Sequence, residues 1–219
     1  MTELKKRALI IVDLQPDFLP GGALAVPEGD AVIAPVIALL EAQSRTDAGA
    51  PRYSAVVATQ DWHPSDHGSF AIHHPGGTPG ELHTLDGRPQ MLWPVHCVQG
   101  SPGAQLAPAL AAQVAAGTVD AVFQKGLDPA VDSYSGFYDN AKRHSTGLGE
   151  WLRAREIEAV DVCGLALDYC VKFTVLDALS EGFEARLLRA ATRAVNLEAG
   201  DGAHTLAALA DAGALIVDA

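Results

Sequence analysis

The sequence predicts an α/β fold in which a mostly parallel six-stranded sheet is covered by helices on both faces. Three observations lead there. Short apolar runs of strand length recur along the chain, alanine-rich segments with helical spacing separate them, and two long polar connections begin directly after strands. Residues 8–12 form the first strand, which runs straight into Asp13. Residues 30–42 carry an N-cap aspartate, apolar residues at helical spacing (Ile33, Val36, Ile37, Leu40) and Pro35 in an early turn, which a helix tolerates. A second strand at 54–59 is followed by a long polar stretch, then a helix at 103–115 and a third strand at 120–124. A helix at 144–155, a strand at 159–164 and a helix at 168–181 come next. The chain closes with a strand at 184–188, a helix at 201–212 and a sixth strand at 214–217. No repeat, low-complexity segment or linker interrupts residues 1–219, so one domain is the economical reading.

Composition excludes several classes of function. Lys and Arg number 15 against 27 Asp and Glu, a formal net charge of −12, which argues against binding a phosphate backbone and ranks nucleic acid low as a partner. A hydrophobic fraction of 48% with 19% charged residues is too apolar for a disordered chain, and 219 residues can bury a core without staples. No apolar run approaches the ~18 residues of a membrane span. The apolar stretch after the basic N-terminus ends at Asp13, too early for a signal-peptide core, so a cytoplasmic location is expected. Three cysteines without regular spacing do not make a disulfide framework.

Chemistry-bearing residues gather where strands end. Loops 61–102 and 126–143 both leave a strand, and in a parallel sheet such loops meet at the carboxyl edge, where ligands bind. Six of the eight histidines lie between His63 and His96. In an extended segment Asp61 and His63 point the same way, so with His96 they can offer one ion a carboxylate oxygen and two imidazole nitrogens, a set suited to Zn²⁺, Fe²⁺ or Mn²⁺. His67 is a candidate additional ligand. A His-rich loop can also be merely polar and solvated. Cys170 falls at the start of a helix, where the dipole favours thiolate, and N–H groups of the preceding turn can form an oxyanion hole. Free cysteines are commonly just small buried apolar residues, which is the better account of Cys97 and Cys163. Asp13 at a strand exit can act as a general base, and the cation of Lys125 can hold it ionised and favour the thiolate. An Asp in that place is most often a turn or cap residue, and a Lys is most often solvated. Four strand-exit positions carrying Asp13, Asp61, Lys125 and Cys170 are harder to dismiss.

Beyond single residues, ordered phrases run over nearly the whole chain. They are Ile11-Val12-Asp13-Leu14-Gln15-Pro16-Asp17-Phe18, Thr59-Gln60-Asp61-Trp62-His63-Pro64, Trp93-Pro94-Val95-His96-Cys97, Lys125-Gly126, Tyr134-Ser135-Gly136-Phe137 and Gly164-Leu165-Ala166-Leu167-Asp168-Tyr169-Cys170. With them the chain resembles the nicotinamidases among the isochorismatase-like cysteine hydrolases. The resemblance implies a three-layer α/β/α fold and hydrolysis of nicotinamide, and also pyrazinamide, to the acid and ammonia, in NAD salvage. It implies Cys170 as nucleophile, Asp13 as proton shuttle and Lys125 as electrostatic partner. It further implies Asp61, His63 and His96 around one divalent metal, Zn²⁺ ahead of Fe²⁺ or Mn²⁺, with His67 open. Phe18, Trp93, Tyr134 and Leu165 are expected around the substrate, and the N–H groups of Ala166 and Cys170 around the oxyanion, beside a cis peptide at Leu165-Ala166. Much of residues 71–92 has no clear counterpart in the shortest members; a lid, an oligomer contact and a solvated loop are the alternatives, the last two favoured. A monomer and a homo-oligomer are both compatible with the sequence. Two rivals stay open: a related hydrolase acting on another carboxamide, and a non-catalytic metal-binding protein of the same fold.

Overall fold

The structure, a computed structural model, describes residues 5–44 and 52–218. In chain order the strands are β1 (Arg7–Val12), β2 (Ala55–Asp61), β3 (Leu82–Leu85), β4 (Arg88–Met91), β5 (Ala121–Lys125), β6 (Ala159–Leu165), β7 (Glu184–Arg193) and β8 (Leu215–Val217). The helices are α1 (Ile33–Ser44), α2 (Pro108–Ala115), α3 (Leu148–Arg153), α4 (Lys172–Ser180) and α5 (Asp201–Asp211). Six strands pair in the order β5-β2-β1-β6-β7-β8, every pair parallel, and β3 and β4 form a separate antiparallel hairpin. Chain order reverses between β1 and β6, the switch point at which parallel sheets open a crevice at their carboxyl ends.

Alternation along β1 divides the core in two. Ala8, Ile10 and Val12 face a layer that contains Leu148 and Leu152 of α3, Val175 of α4 and Leu209 of α5. Leu9 and Ile11 face Val36, Leu39 and Leu40 of α1 and Leu110 of α2. Because helices cover both faces, a central strand must be apolar throughout, and Ala8 to Val12 are all buried. Each fully buried Leu, Ile or Val contributes about 1.5–3 kcal/mol by leaving water. A charged residue enters this core near the amino end of β6. Asp161 of β6, fully buried, accepts from Arg7 at 2.9 Å, from Arg186 at 2.7 and 2.6 Å and from the Tyr53 hydroxyl at 2.9 Å, so each of its oxygens is paired.

Several boundaries differ from the sequence reading, each for a local reason. A 3₁₀ turn at Gly29–Val32 precedes α1, so Asp30 lies inside that turn instead of capping the helix. Helix α2 begins only at Pro108, because Ala107 before the proline is held extended at ψ 140°. Residues 144–147 stay out of α3: Thr146 donates its N–H to Phe137 O at 2.9 Å and its hydroxyl to Gly136 O at 2.6 Å. A π-type turn, Leu167–Val171, stands where an α-helix was expected, and α4 starts after it. Strand β7 continues to Arg193 through a register shift beside Val162 and Gly164. Within 71–92 a hairpin appears that the sequence reading treated as loop. Its signal was present in Asp86-Gly87, both at positive φ (51° and 73°), the two-residue turn that suits the twist of paired strands. No helix among the described residues is long and apolar enough to cross a membrane.

Candidate active site

The carboxyl edge of the sheet brings the predicted residues together. Asp13 leaves β1 at φ 44°, which turns its fully buried carboxylate across the edge instead of along the strand. Thr59 donates its hydroxyl to Asp13 Oδ1 at 2.6 Å, and Lys125 Nζ pairs with Oδ2 at 2.9 Å. Asp61 and Lys125 are register partners on β2 and β5, and Lys125 Nζ reaches Asp61 Oδ1 at 2.9 Å, the Ser133 carbonyl at 2.8 Å and Cys170 Sγ at 3.5 Å. One ammonium thus bridges two buried carboxylates and a sulfur. Cys170 sits in the π-type turn after β6, and its carbonyl accepts the Thr174 hydroxyl at 2.7 Å. The turn begins at a cis bond between Leu165 and Ala166.

The thiol departs from expectation. Burial pushes Cys170 well above the ordinary thiol range, Lys125 pulls it back, and Asp13 and Asp61 push it up again. Burial likewise raises Asp13 against the pull of Lys125, which makes it a stronger base. The two shifts match: the thiol is held toward its neutral form, and the Asp13 carboxylate, once ionised, is the stronger base for its proton.

Asp61, His63 and His96 converge on one point. Asp61 Oδ2 lies 3.0 Å from His63 Nε2 and 3.4 Å from His96 Nε2. Each imidazole turns its other nitrogen to a backbone carbonyl, His63 Nδ1 to Gly126 O at 2.9 Å and His96 Nδ1 to Pro94 O at 2.8 Å. Burial opposes a charge on His63, but Asp61 raises its pKa, so without a metal the ring holds a proton that Asp61 Oδ2 accepts. A cation bound here would take that proton's place and meet two imidazole nitrogens and a carboxylate oxygen. Burial disfavours the Asp61 anion, yet His63 and Lys125 outweigh it and hold this carboxyl well below the ordinary range. His67 is a neighbour whose ring centre lies 4.1 Å from that of His63. Its Nδ1 meets Ser69 Oγ at 2.8 Å, and its Nε2 is buried without a partner. Burial and the nearby His63 lower its pKa to about 4, so the ring is neutral. A second convergent group, His63, His67 and Asp132, overlaps the first through His63.

Above these groups lies a cavity of about 30 Å³, walled by Phe18, Leu24, Trp93, Tyr134, Tyr169 and Val195, with Cys170 and Ala166 at its floor. Phe18, Trp93 and Tyr134 were named from the sequence. Leu24, Asp132, Tyr169 and Val195 were not. Leu165 does not line the cavity; its side chain is fully buried in the apolar layer shared with α1. The sequence reading also missed Gln15, whose amide accepts the Asp61 N–H at 2.7 Å and donates to the Asp61 carbonyl at 2.8 Å.

A buried thiol, carboxylate and ammonium at a switch-point crevice define a cysteine hydrolase with an adjoining cation site, and the family match agrees. Residues 7–219 match the isochorismatase domain, and the chain belongs to that family. Its relatives are more particular. It is 50% identical over 211 residues to the nicotinamidase of Escherichia coli, covering 96% of this chain and 93% of that one. The yeast nicotinamidase bound to the inhibitor nicotinaldehyde superposes with a TM-score of 0.90 at 31% identity, covering 97% of this chain and 100% of that one. The pyrazinamidase of Pyrococcus horikoshii in complex with zinc gives 0.73 at 35% identity, covering 97% and 98%.

Proposed function

We propose that this chain is a nicotinamidase, a cysteine amidohydrolase that converts nicotinamide to nicotinate and ammonia in NAD salvage, and pyrazinamide to pyrazinoate, with residues 1–219 acting as a single catalytic domain. The observation that carries the reading is the Asp13, Lys125, Cys170 cluster next to a convergent Asp61, His63, His96 set at the floor of an aromatic cavity. Asp13 takes the thiol proton as sulfur attacks the carboxamide carbon. Thr59 holds Oδ1, so Oδ2 is the oxygen that faces Lys125 and the thiol. The N–H groups of Ala166 and Cys170 receive the oxygen that becomes negative. Asp13 then gives its proton to the departing nitrogen, which leaves as ammonia, and a thioester remains on Cys170. Water, deprotonated by Asp13, cleaves the thioester, and nicotinate and the thiol are released. Lys125 favours the ionised forms of two carboxylates that burial pushes toward neutrality; it prevails at Asp61 with the help of His63 and only moderates the rise at Asp13. Burial opposes its charge, but Asp13 and Asp61 raise its pKa well above the ordinary lysine range.

The donor set fits one divalent cation. Asp61, His63 and His96 would hold it, His67 Nε2 stands by as a further donor, and two nitrogens with one oxygen suit Zn²⁺, Fe²⁺ and Mn²⁺. When bound, the ion would supply a Lewis-acidic contact for the ring nitrogen of the substrate. Phe18, Trp93 and Tyr134 would flank that ring. Ammonia release from nicotinamide, measured with metal-loaded and metal-stripped protein and with benzamide as control, tests the reading. Nicotinamide should be hydrolysed by the loaded protein and benzamide, which lacks the ring nitrogen, poorly. Loaded protein that leaves nicotinamide intact would sink the assignment.

A further inference from the structure

The hairpin β3–β4 is tied to the catalytic cavity by one side chain. Gln90 alone among its strand residues is buried, at 3% exposure. Its Nε2 lies 2.8 Å from the Met91 carbonyl, 2.7 Å from Asp132 Oδ2 and 3.0 Å from the Tyr134 hydroxyl oxygen. Carbonyl and carboxylate oxygens only accept, so the nitrogen end of the amide must face them. The other Asp132 oxygen accepts the Ser133 N–H at 2.7 Å, and the Tyr134 oxygen also accepts the Trp93 indole N–H at 3.2 Å. Asp132, Tyr134 and Trp93 therefore form a wall whose bonds meet at Gln90.

Asp132 and Tyr134 of that wall face a cavity on each side. The catalytic cavity on the near side is the smaller of the two, about 30 Å³. Asp132 and Tyr134 also line a cavity of about 510 Å³ on the far side, where Gln90, Leu85, Val131 and Phe173 join them. Whatever holds this partition decides how large a ring the site accepts.

We propose that Gln90 is a positioning residue that closes the partition and restricts the enzyme to small single-ring carboxamides, so that the β3–β4 hairpin is a specificity element. The inference rests on the nicotinamidase reading. Shortening Gln90 removes the amide that braces Asp132 and Tyr134 from behind, so these two side chains can fall back into the space it leaves and the catalytic cavity widens toward the one beyond. A fused amide that keeps the ring nitrogen meta to the carboxamide, quinoline-3-carboxamide, then finds room.

Ammonia release from nicotinamide and from quinoline-3-carboxamide by the wild type, Gln90→Ala, Gln90→Asn and Gln90→Met tests this, with thermal unfolding as the check on folding. Gln90→Ala should raise KM for nicotinamide about tenfold, the size of a lost hydrogen bond to a charged group, and lower kcat no more than about threefold. The quinoline-to-nicotinamide ratio of kcat/KM should rise at least about tenfold. Gln90→Asn, too short to span the gap, should behave like Gln90→Ala and serves if the alanine variant does not fold. Gln90→Met fills the space without donors and should also lose nicotinamide affinity. Unchanged selectivity in Gln90→Ala and Gln90→Asn, or wild-type behaviour in Gln90→Met, overturns the proposal while the nicotinamidase reading stands. So does a wild type that accepts both amides equally well. A wild type inactive on nicotinamide overturns the reading of function and this proposal with it.

Discussion

Cys170 is the residue whose chemistry depends most on its neighbours. A helix start and Lys125 were expected to make it a thiolate, but burial beside Asp13 and Asp61 raises it instead. At neutral pH a raised pKa means less thiolate, so iodoacetamide should modify Cys170 in the native protein more slowly than it modifies glutathione, and faster as pH rises. Peptide mapping of the alkylated protein checks this; rapid labelling at pH 7 would show that Lys125 prevails. Substituting Cys170→Ala should lower ammonia release at least about a thousandfold, since the covalent step has no other nucleophile. Metal content, read by elemental analysis, should not change, because the Asp61, His63 and His96 donors do not include the sulfur.

Elements place these residues, and their placement was largely legible. Strand exits at Asp13, Asp61 and Lys125 and the turn at Cys170 could be read from apolar runs that stop at a polar residue, and parallel pairing then makes the exits neighbours. What was not legible rests on distant partners. Thr59 meets Asp13, and Gln15 meets Asp61, from 46 residues away, and nothing local in either residue announces it. Asp132, Tyr169 and Val195 reach the cavity wall only once the loops have packed. Gly126, directly after β5, shows how tightly an element end is fitted to the site. At φ 69° it follows Lys125, and a Cβ there would stand 2.4 Å from His63 Cε1. Gly126→Ala should therefore displace His63 and weaken metal binding about 10–100-fold, measured by chelator competition, with the sheet still formed. Gly164, at φ 107°, has even less room, since a Cβ would lie 2.0 Å from the Val12 carbonyl oxygen between the two strands of the switch point.

Across the whole molecule, charge is partitioned by function. The net charge of −12 lies over a protein whose proposed substrate is neutral, so long-range fields should neither steer nor repel it. Raising salt from about 0.02 to 0.5 M, which shortens screening from tens of ångströms to a few, should leave kcat/KM for nicotinamide nearly unchanged. Inhibition by the nicotinate anion should vary with salt in the same assay series. At the far end of the strands, Asp161 holds Arg7, Arg186 and Tyr53 together. Asp161→Ala leaves two guanidinium groups without their carboxylate and should cost about 3–5 kcal/mol in urea denaturation, while the folded fraction keeps its kcat.

The Gln15 amide bonds both the N–H and the C=O of Asp61 after β1 has already turned away at Asp13. A side chain thereby does for one more rung what a backbone does in the ladder. Asp13 and Asp61 are thus held relative to each other twice, by the Gln15 amide on the backbone and by the Lys125 ammonium between their carboxylates. The polar rung keeps Asp61 in place beside β1 where the backbone ladder between β1 and β2 has already ended.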